Sequence, residues 1–307
     1  MSIRPLTAAA GGALLGMTAL FLTAAPAASA APAAPALERP HAPLPVAHRG
    51  ASAYAPENTL AAVDKADELG IDWVENDVQR TKDGELVVMH DTTLARTTNA
   101  EEVFPDRAPW NVSDFTAAEI RKLDAGSWFD PEYRGVRVPT LRQYVNRIEQ
   151  HRQRLLLELK APELYPGVEK ETLRELRRLG WLDRSHVKRK LIIQSFNAAS
   201  VEKVHDLVPA VKTGFLGNPA ASELKKYAAF SDQINPRHAA VTEDYVKAIH
   251  AVKGAHGKPL EVFTWTIDDA PTAVRVAEAG VDGIISNKPD VIRDATRGFG
   301  SAPGLGG

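Results

Sequence analysis

Between positions 48 and 91 the chain carries His48-Arg49-Gly50, Pro56-Glu57-Asn58-Thr59, Glu75-Asn76-Asp77 and His90-Asp91. Further on, Glu158-Leu159-Lys160 adds a third carboxylate and a second cation. Residues two apart on a strand share a face, so Glu75 and Asp77 point together with Asn76 turned away, and Glu158 points with Lys160. Two carboxylates aimed the same way repel unless a cation sits between them. Glu75, Asp77 and Glu158 can hold one hard divalent ion, Ca²⁺ or Mg²⁺, through oxygen ligands. The absence of cysteine argues against zinc. Arg49 and Lys160 can hold a phosphate, and His48 and His90 can move protons. That is equipment for metal-assisted cleavage of a phosphate ester. The other seven histidines, at 41, 151, 186, 205, 238, 250 and 256, read as structural.

The elements that must position these groups alternate between strand and helix. Strand-like runs fall at Pro45–His48, Asp72–Val78, Leu86–His90, Leu155–Leu159, Leu191–Ser195, Val211–Leu216, Glu261–Thr266 and Gly283–Ser286, with a weaker one at Gln233–Asn235. Helices carry recognisable ends. Asn58 is the expected cap of Thr59–Leu69, with Gly70 as the stop. Thr116 and Glu119 suggest a capping box. Thr140 precedes Leu141–Gln150, whose Leu141, Tyr144, Val145 and Ile148 share a face, and Asn197 and Thr242 precede two more helices. This alternation implies a parallel sheet, and the number of units implies an α/β fold, a (β/α)8 TIM barrel. Nine candidates compete for eight places. The Asp77–Leu86 link is too short for a helix, which predicts one degenerate crossover. Residues 92–139 break the rhythm and read as a small inserted subdomain, rich in aromatic residues, that covers the pocket after an early strand.

The ends read differently from the middle. Residues 1–30 hold one charge, Arg4, an apolar run from Leu6 to Ala25, and Ala28-Ser29-Ala30, which is a secretory signal pattern with cleavage near Ala30. An uncleaved anchor is the alternative reading of the same run. Secretion with no stable membrane span in the mature chain is the expectation. Residues 31–45 read as a Pro/Ala-rich linker, 46–296 as the barrel, and 297–307 as a flexible tail. The 307 residues are 44% hydrophobic and 25% charged, ordinary globular values. No cysteine is present, which excludes thiol catalysis, disulfides and a lipidated cysteine. The net charge of −2 and the lack of a basic run argue against nucleic-acid binding.

The order His48-Arg49-Gly50, Pro56-Glu57-Asn58-Thr59, Glu75-x-Asp77, Thr81-Lys82-Asp83-Gly84, Val87-Val88-Met89-His90-Asp91, Glu158-Leu159-Lys160, Gln194-Ser195-Phe196, Thr264-Trp265-Thr266 and Asp282-Gly283-Ile284-Ile285 resembles the glycerophosphodiester phosphodiesterase family, in its secreted bacterial form. The resemblance runs from about 46 to 290. It implies a phosphodiesterase barrel acting on small glycerophosphodiesters, with Glu75, Asp77 and Glu158 as metal ligands, His48 and His90 as acid and base, and Arg49 and Lys160 on the phosphate. It also implies Trp265 in the substrate pocket, to which Phe129 of the insertion is added. Two positions depart from the family pattern: Asn76 stands where an apolar residue is usual, and Ser286-Asn287 where Thr-Asp is common. Two rival readings remain at this level. A phospholipase D-like enzyme would release a cyclic phosphate from a lysolipid or sphingomyelin, and such enzymes generally lack a Pro-Glu-Asn-Thr segment. A non-catalytic secreted binding protein would bind metal without turnover.

Overall fold

The computed structural model describes residues 41–300. The signal segment, most of the linker and the last seven residues of the tail lie outside the described residues. Nine strands form: β1 Leu44–Ala47, β2 Trp73–Arg80, β3 Leu86–Val88, β4 Arg154–Leu159, β5 Leu191–Ser195, β6 Lys212–Leu216, β7 Gln233–Asn235, β8 Glu261–Thr264 and β9 Gly283–Ser286. Eight of them are parallel and close on themselves, because β1 pairs with both β2 and β9. The fold is a (β/α)8 TIM barrel.

β3 is the surplus candidate. It lies antiparallel on β2, with Val78 opposite Val88, so the short link after Asp77 is a hairpin and not a shortened crossover. Thr81-Lys82-Asp83-Gly84 makes the turn: the Thr81 hydroxyl donates to Asp83, and Gly84 takes φ 87°. Met89 N–H donates to the Asp77 carbonyl, which keeps the chain against β2 up to the histidine that follows.

Residues 92–139 form a packed subdomain. Leu94, Ala100, Val112, Phe115, Ile120, Leu123, Ala125 and Val138 join Val87 and Met89 in a core separate from the barrel's. Aliphatic burial of this kind contributes about 1.5–3 kcal/mol per large side chain. The capping box at Thr116 and Glu119 is present, and Thr140 caps Leu141–Gln150 with the expected four residues inward. Residues 41–45 and 297–300 are more ordered than the linker and tail expected there. β1 begins at Leu44, and His41 bridges Gly300 and pairs with Asp282. Among the described residues no helix is long and apolar enough to cross a membrane.

Inside the barrel the strands alternate as sheet geometry requires. Val46, Trp73, Leu156, Ile192, Phe263 and Ile285 fill the interior as an apolar cluster. Two residues further along their strands, the inward row becomes polar: His48, Glu75 and Glu158. The acidic groups therefore stand on an apolar floor, where charge interactions are stronger than in water.

Candidate active site

A cavity of about 360 Å³ opens where the parallel strands end. His48, Arg49, Glu75, His90, Glu158 and Lys160 all line it, together with Trp265. Oxygens of Glu75, Asp77 and Glu158 lie within 4.8 Å of one another, and all three side chains are buried. Burial, reinforced by Asp77 and Glu158, pushes the Glu75 carboxyl well above the usual range. Burial and Asp77 push Glu158 up to about 7. For Asp77 burial works upward, but Arg49, Lys160 and His90 outweigh it and hold the carboxyl low. Three carboxylates thus share one buried site with too little positive charge to ionise all of them. That imbalance, and an all-oxygen donor set, fit one hard divalent cation.

The two cations are held by these acids. Arg49 N–H donates to Glu75 at 2.8 Å, its guanidinium pairs with Glu57 at 2.9 Å, and its Nε lies 3.5 Å from Asp77. Lys160 reaches Glu158 at 3.0 Å and Asp77 at 3.6 Å. Arg49 adopts φ 58°, in the left-handed region that costs a non-glycine residue about 1–2 kcal/mol. Gly50 follows at φ 80°, where a Cβ would lie 2.5 Å from the Ala62 Cβ. The turn is thereby tied to the helix Leu60–Glu68, and it aims Arg49 into the cavity.

Asn58 does not cap that helix. Thr59 does, accepting from Ala62 N–H, because Asn58 sits at φ 59° instead of the extended conformation a cap needs. Asn58 is thereby freed to donate from Nδ2 to Asp77 at 2.8 Å. The Pro-Glu-Asn-Thr segment holds three parts at once: Glu57 the arginine, Asn58 the aspartate, Thr59 the helix.

Each histidine has one ring nitrogen engaged. Asn287 donates its Nδ2–H to Asp268 at 2.7 Å, so its Oδ1 faces His48 and accepts from Nδ1–H at 2.8 Å. Ser52 donates to the same oxygen. Asn287 therefore buttresses His48 with an amide at the position where the family commonly has an acid. His90 Nδ1 lies 2.6 Å from Asp91. In both rings this leaves Nε2 as the uncommitted nitrogen. Burial and the adjacent Arg49 push His48 down to about 4, and burial lowers His90.

Several residues outside the sequence expectation complete the site. Gln79, next in the inward row after Asp77, donates its amide to the carbonyls of Met89, His90 and Asp91 and fixes the loop that carries His90. Arg96 of the subdomain makes paired contacts to both Glu57 and Asp91, at 2.6–3.0 Å. Phe196 and Arg237 line the cavity. Phe129 does not: it packs edge-on against Trp128 and Tyr133 within the subdomain. Phe196, not Phe129, is the second ring of the pocket. Asn76 points away from the acids, as alternation requires, and is fully buried behind the sheet with no hydrogen bond to its amide. None of the other seven histidines lines the cavity, and five pair with acids elsewhere.

Known proteins resemble this chain. The model of the glycerophosphoryl diester phosphodiesterase family matches residues 48–291. A glycerophosphodiester phosphodiesterase of Bacillus subtilis is 34% identical over 302 residues, 93% of this chain and 96% of the relative. One from Caldanaerobacter subterraneus is 36% identical over 259 residues, 83% of this chain and 98% of the relative. Among solved structures, an Oleispira antarctica phosphodiesterase in complex with the product sn-glycerol-3-phosphate superposes with a TM-score of 0.68 at 31% identity, covering 81% of this chain and 95% of that one.

Proposed function

The chain belongs to the glycerophosphoryl diester phosphodiesterase family and is a glycerophosphodiester phosphodiesterase, and from that premise we propose how it releases glycerol 3-phosphate and an alcohol. The reading rests on one observation: three converging buried carboxylates and two cations face two histidines whose Nε2 atoms are both uncommitted. Glu75, Asp77 and Glu158 would hold one divalent cation, Ca²⁺ or Mg²⁺. When bound, it would supply Lewis-acid polarisation of the phosphate and of an adjacent glycerol hydroxyl.

The chain's own residues do the rest. Arg49 and Lys160 neutralise charge that gathers on the phosphoryl oxygens. One histidine accepts at Nε2 the proton of the attacking glycerol hydroxyl as its oxygen bonds to phosphorus, and the other protonates the oxygen of the departing alcohol as its P–O bond breaks; with the roles exchanged, water then opens the cyclic phosphate to glycerol 3-phosphate. A histidine with a pKa near 4 stays neutral at pH 7, which suits His48 to the accepting role. His90 takes the donating role: burial lowers it too, but the Asp91 carboxylate beside its Nδ1 favours the imidazolium. Trp265 and Phe196 flank the bound diester. We also propose export through the N-terminal segment, supported by Arg4, the apolar run and Ala28-Ser29-Ala30.

The test uses purified protein and glycerophosphoglycerol, following glycerol 3-phosphate. Release that EDTA abolishes and Ca²⁺ or Mg²⁺ restores is the expected result. Release untouched by EDTA overturns the metal assignment, and accumulation of a cyclic phosphate overturns the hydrolytic outcome. For export, the protein recovered outside expressing cells should begin after Ala30.

A further inference from the structure

The acids and the aromatic end of the cavity belong to different walls of the barrel. Glu75 and Asp77 stand on β2 and Glu158 on β4, whereas Arg237 and Trp265 follow β7 and β8 across the ring of strands. On the proposed function, which this inference deepens, glycerol lies against the acids. The departing alcohol then extends toward Arg237, Trp265 and Phe196.

Two rings meeting at right angles, 5.3 Å apart, would suit the cationic headgroup of a choline ester. Here both rings already carry a protein cation. The Arg237 guanidinium sits 4.5 Å from the centre of Trp265, and Lys160 Nζ sits 5.5 Å from the centre of Phe196. Trp265 is locked in place, its indole N–H donating to the Asn235 carbonyl at 2.9 Å. The two cations differ in one respect. Lys160 is paired with Glu158 and Asp77, whereas Arg237 has no acidic partner among the described residues. Its charge is uncompensated and borders the space left for the alcohol.

We propose that Arg237, braced on Trp265, selects glycerophosphodiesters whose departing alcohol bears an anionic group and disfavours those with a cationic one. A unit charge held about 6 Å from the guanidinium is favoured or disfavoured by about threefold in water-like surroundings and by about a hundredfold in a less polar pocket. Arg237 is exposed, which places it at the lower end. Attraction of an anion and repulsion of a cation multiply to about tenfold in the ratio of kcat/KM.

Three diesters that all yield glycerol 3-phosphate test this. They are bis(glycerophospho)glycerol, whose departing alcohol carries a further phosphodiester charge, glycerophosphoglycerol, whose departing glycerol is neutral, and glycerophosphocholine, whose departing choline is cationic. The wild-type protein should rank them in that order. Arg237→Gln should reduce the anionic-to-cationic ratio about tenfold, chiefly through KM, Arg237→Lys should restore part of it, and high salt should flatten the wild-type ranking. The ratio is measured within one preparation, so partial misfolding of a variant does not change it. A ratio unaltered in Arg237→Gln, or a wild-type preference for the choline diester, overturns the inference while leaving the phosphodiesterase reading intact. No release from any of the three sinks both.

Discussion

The crowding of Glu75, Asp77 and Glu158 makes stability depend on pH and on metal in a direction that can be worked out. Burial and Asp77 raise the Glu158 carboxyl from 4.5 to about 7. A carboxyl raised on folding contributes stability that is complete below the unfolded value and is lost as pH climbs through the folded one. Between pH 4.5 and 7 the metal-free protein should therefore lose about 3 kcal/mol from this group. Glu75 is raised in the same direction by the same neighbours and adds to the loss. His48, lowered to about 4, works the opposite way from pH 4 to its ordinary 6.5. A raw stability profile therefore mixes the two. Comparison with Glu158→Gln separates them, because the amide cannot ionise and His48 is common to both proteins. Thermal unfolding in EDTA from pH 4.5 to 8 is the assay. The wild type should fall against Glu158→Gln by about 6–12 °C across this window, at about 2–4 °C per kcal/mol for a domain of this size. Millimolar Ca²⁺ or Mg²⁺ should reverse the fall in the wild type, most strongly above pH 7, since a cation displaces the protons that the acids otherwise retain. A difference that stays flat with pH, or a fall that neither metal reverses, would refute the reasoning that these acids form one cation site.

Other outcomes follow from the same geometry. His48→Ala and His90→Ala should each lower kcat about 10²–10⁴-fold with native circular dichroism, and near-normal turnover by either variant would remove it from the proton path. Arg96→Ala, which frees Glu57 and Asp91 together, should cost about 10–100-fold in kcat/KM. Arg96→Lys should recover little of it, because one ammonium cannot make two forked pairs. Gly50→Ala forces a Cβ to 2.5 Å from Ala62 at φ 80°; urea unfolding should show a loss of about 2–4 kcal/mol.

Strand parity made much of the site readable before any coordinates. Glu75 and Asp77, and Glu158 and Lys160, share faces because the period of a strand is two, and the same rule sets Gln79 on the face of Asp77 and carries Phe196 into the cavity beyond Gln194. Those two were within reach of the argument. Phe129 was not, because residues 92–139 lack a repeating period and nothing in their order fixes which way a ring points. Asn58 and Thr59 are both good caps, so only the backbone angle of Asn58 assigns the helix to Thr59 and the aspartate to Asn58. The hairpin at 81–84 had a turn sequence and a link too short for a helix; the parallel rhythm around it favoured a crossover instead. Arg96 and Arg237 act through partners distant in sequence, Glu57 and Trp265, and no local pattern announces such pairs.

Because β3 folds back on β2, the two histidines reach the site from different surroundings. His48 extends from a strand in the middle of the closed barrel. His90 rides on the edge of the hairpin, next to Val87 and Met89, which pack into the subdomain's own core. Regions with separate cores open separately, each with its own free energy. A fluctuation that loosens residues 92–139 would release Arg96 from Glu57 and Asp91, while Gln79 and the Met89 N–H still tie the His90 loop to β2. Amide exchange should therefore find the strands around Glu75 and Glu158 better protected than the loop at His90. The forked contacts of Arg96 to Glu57 and Asp91 join the subdomain to that loop.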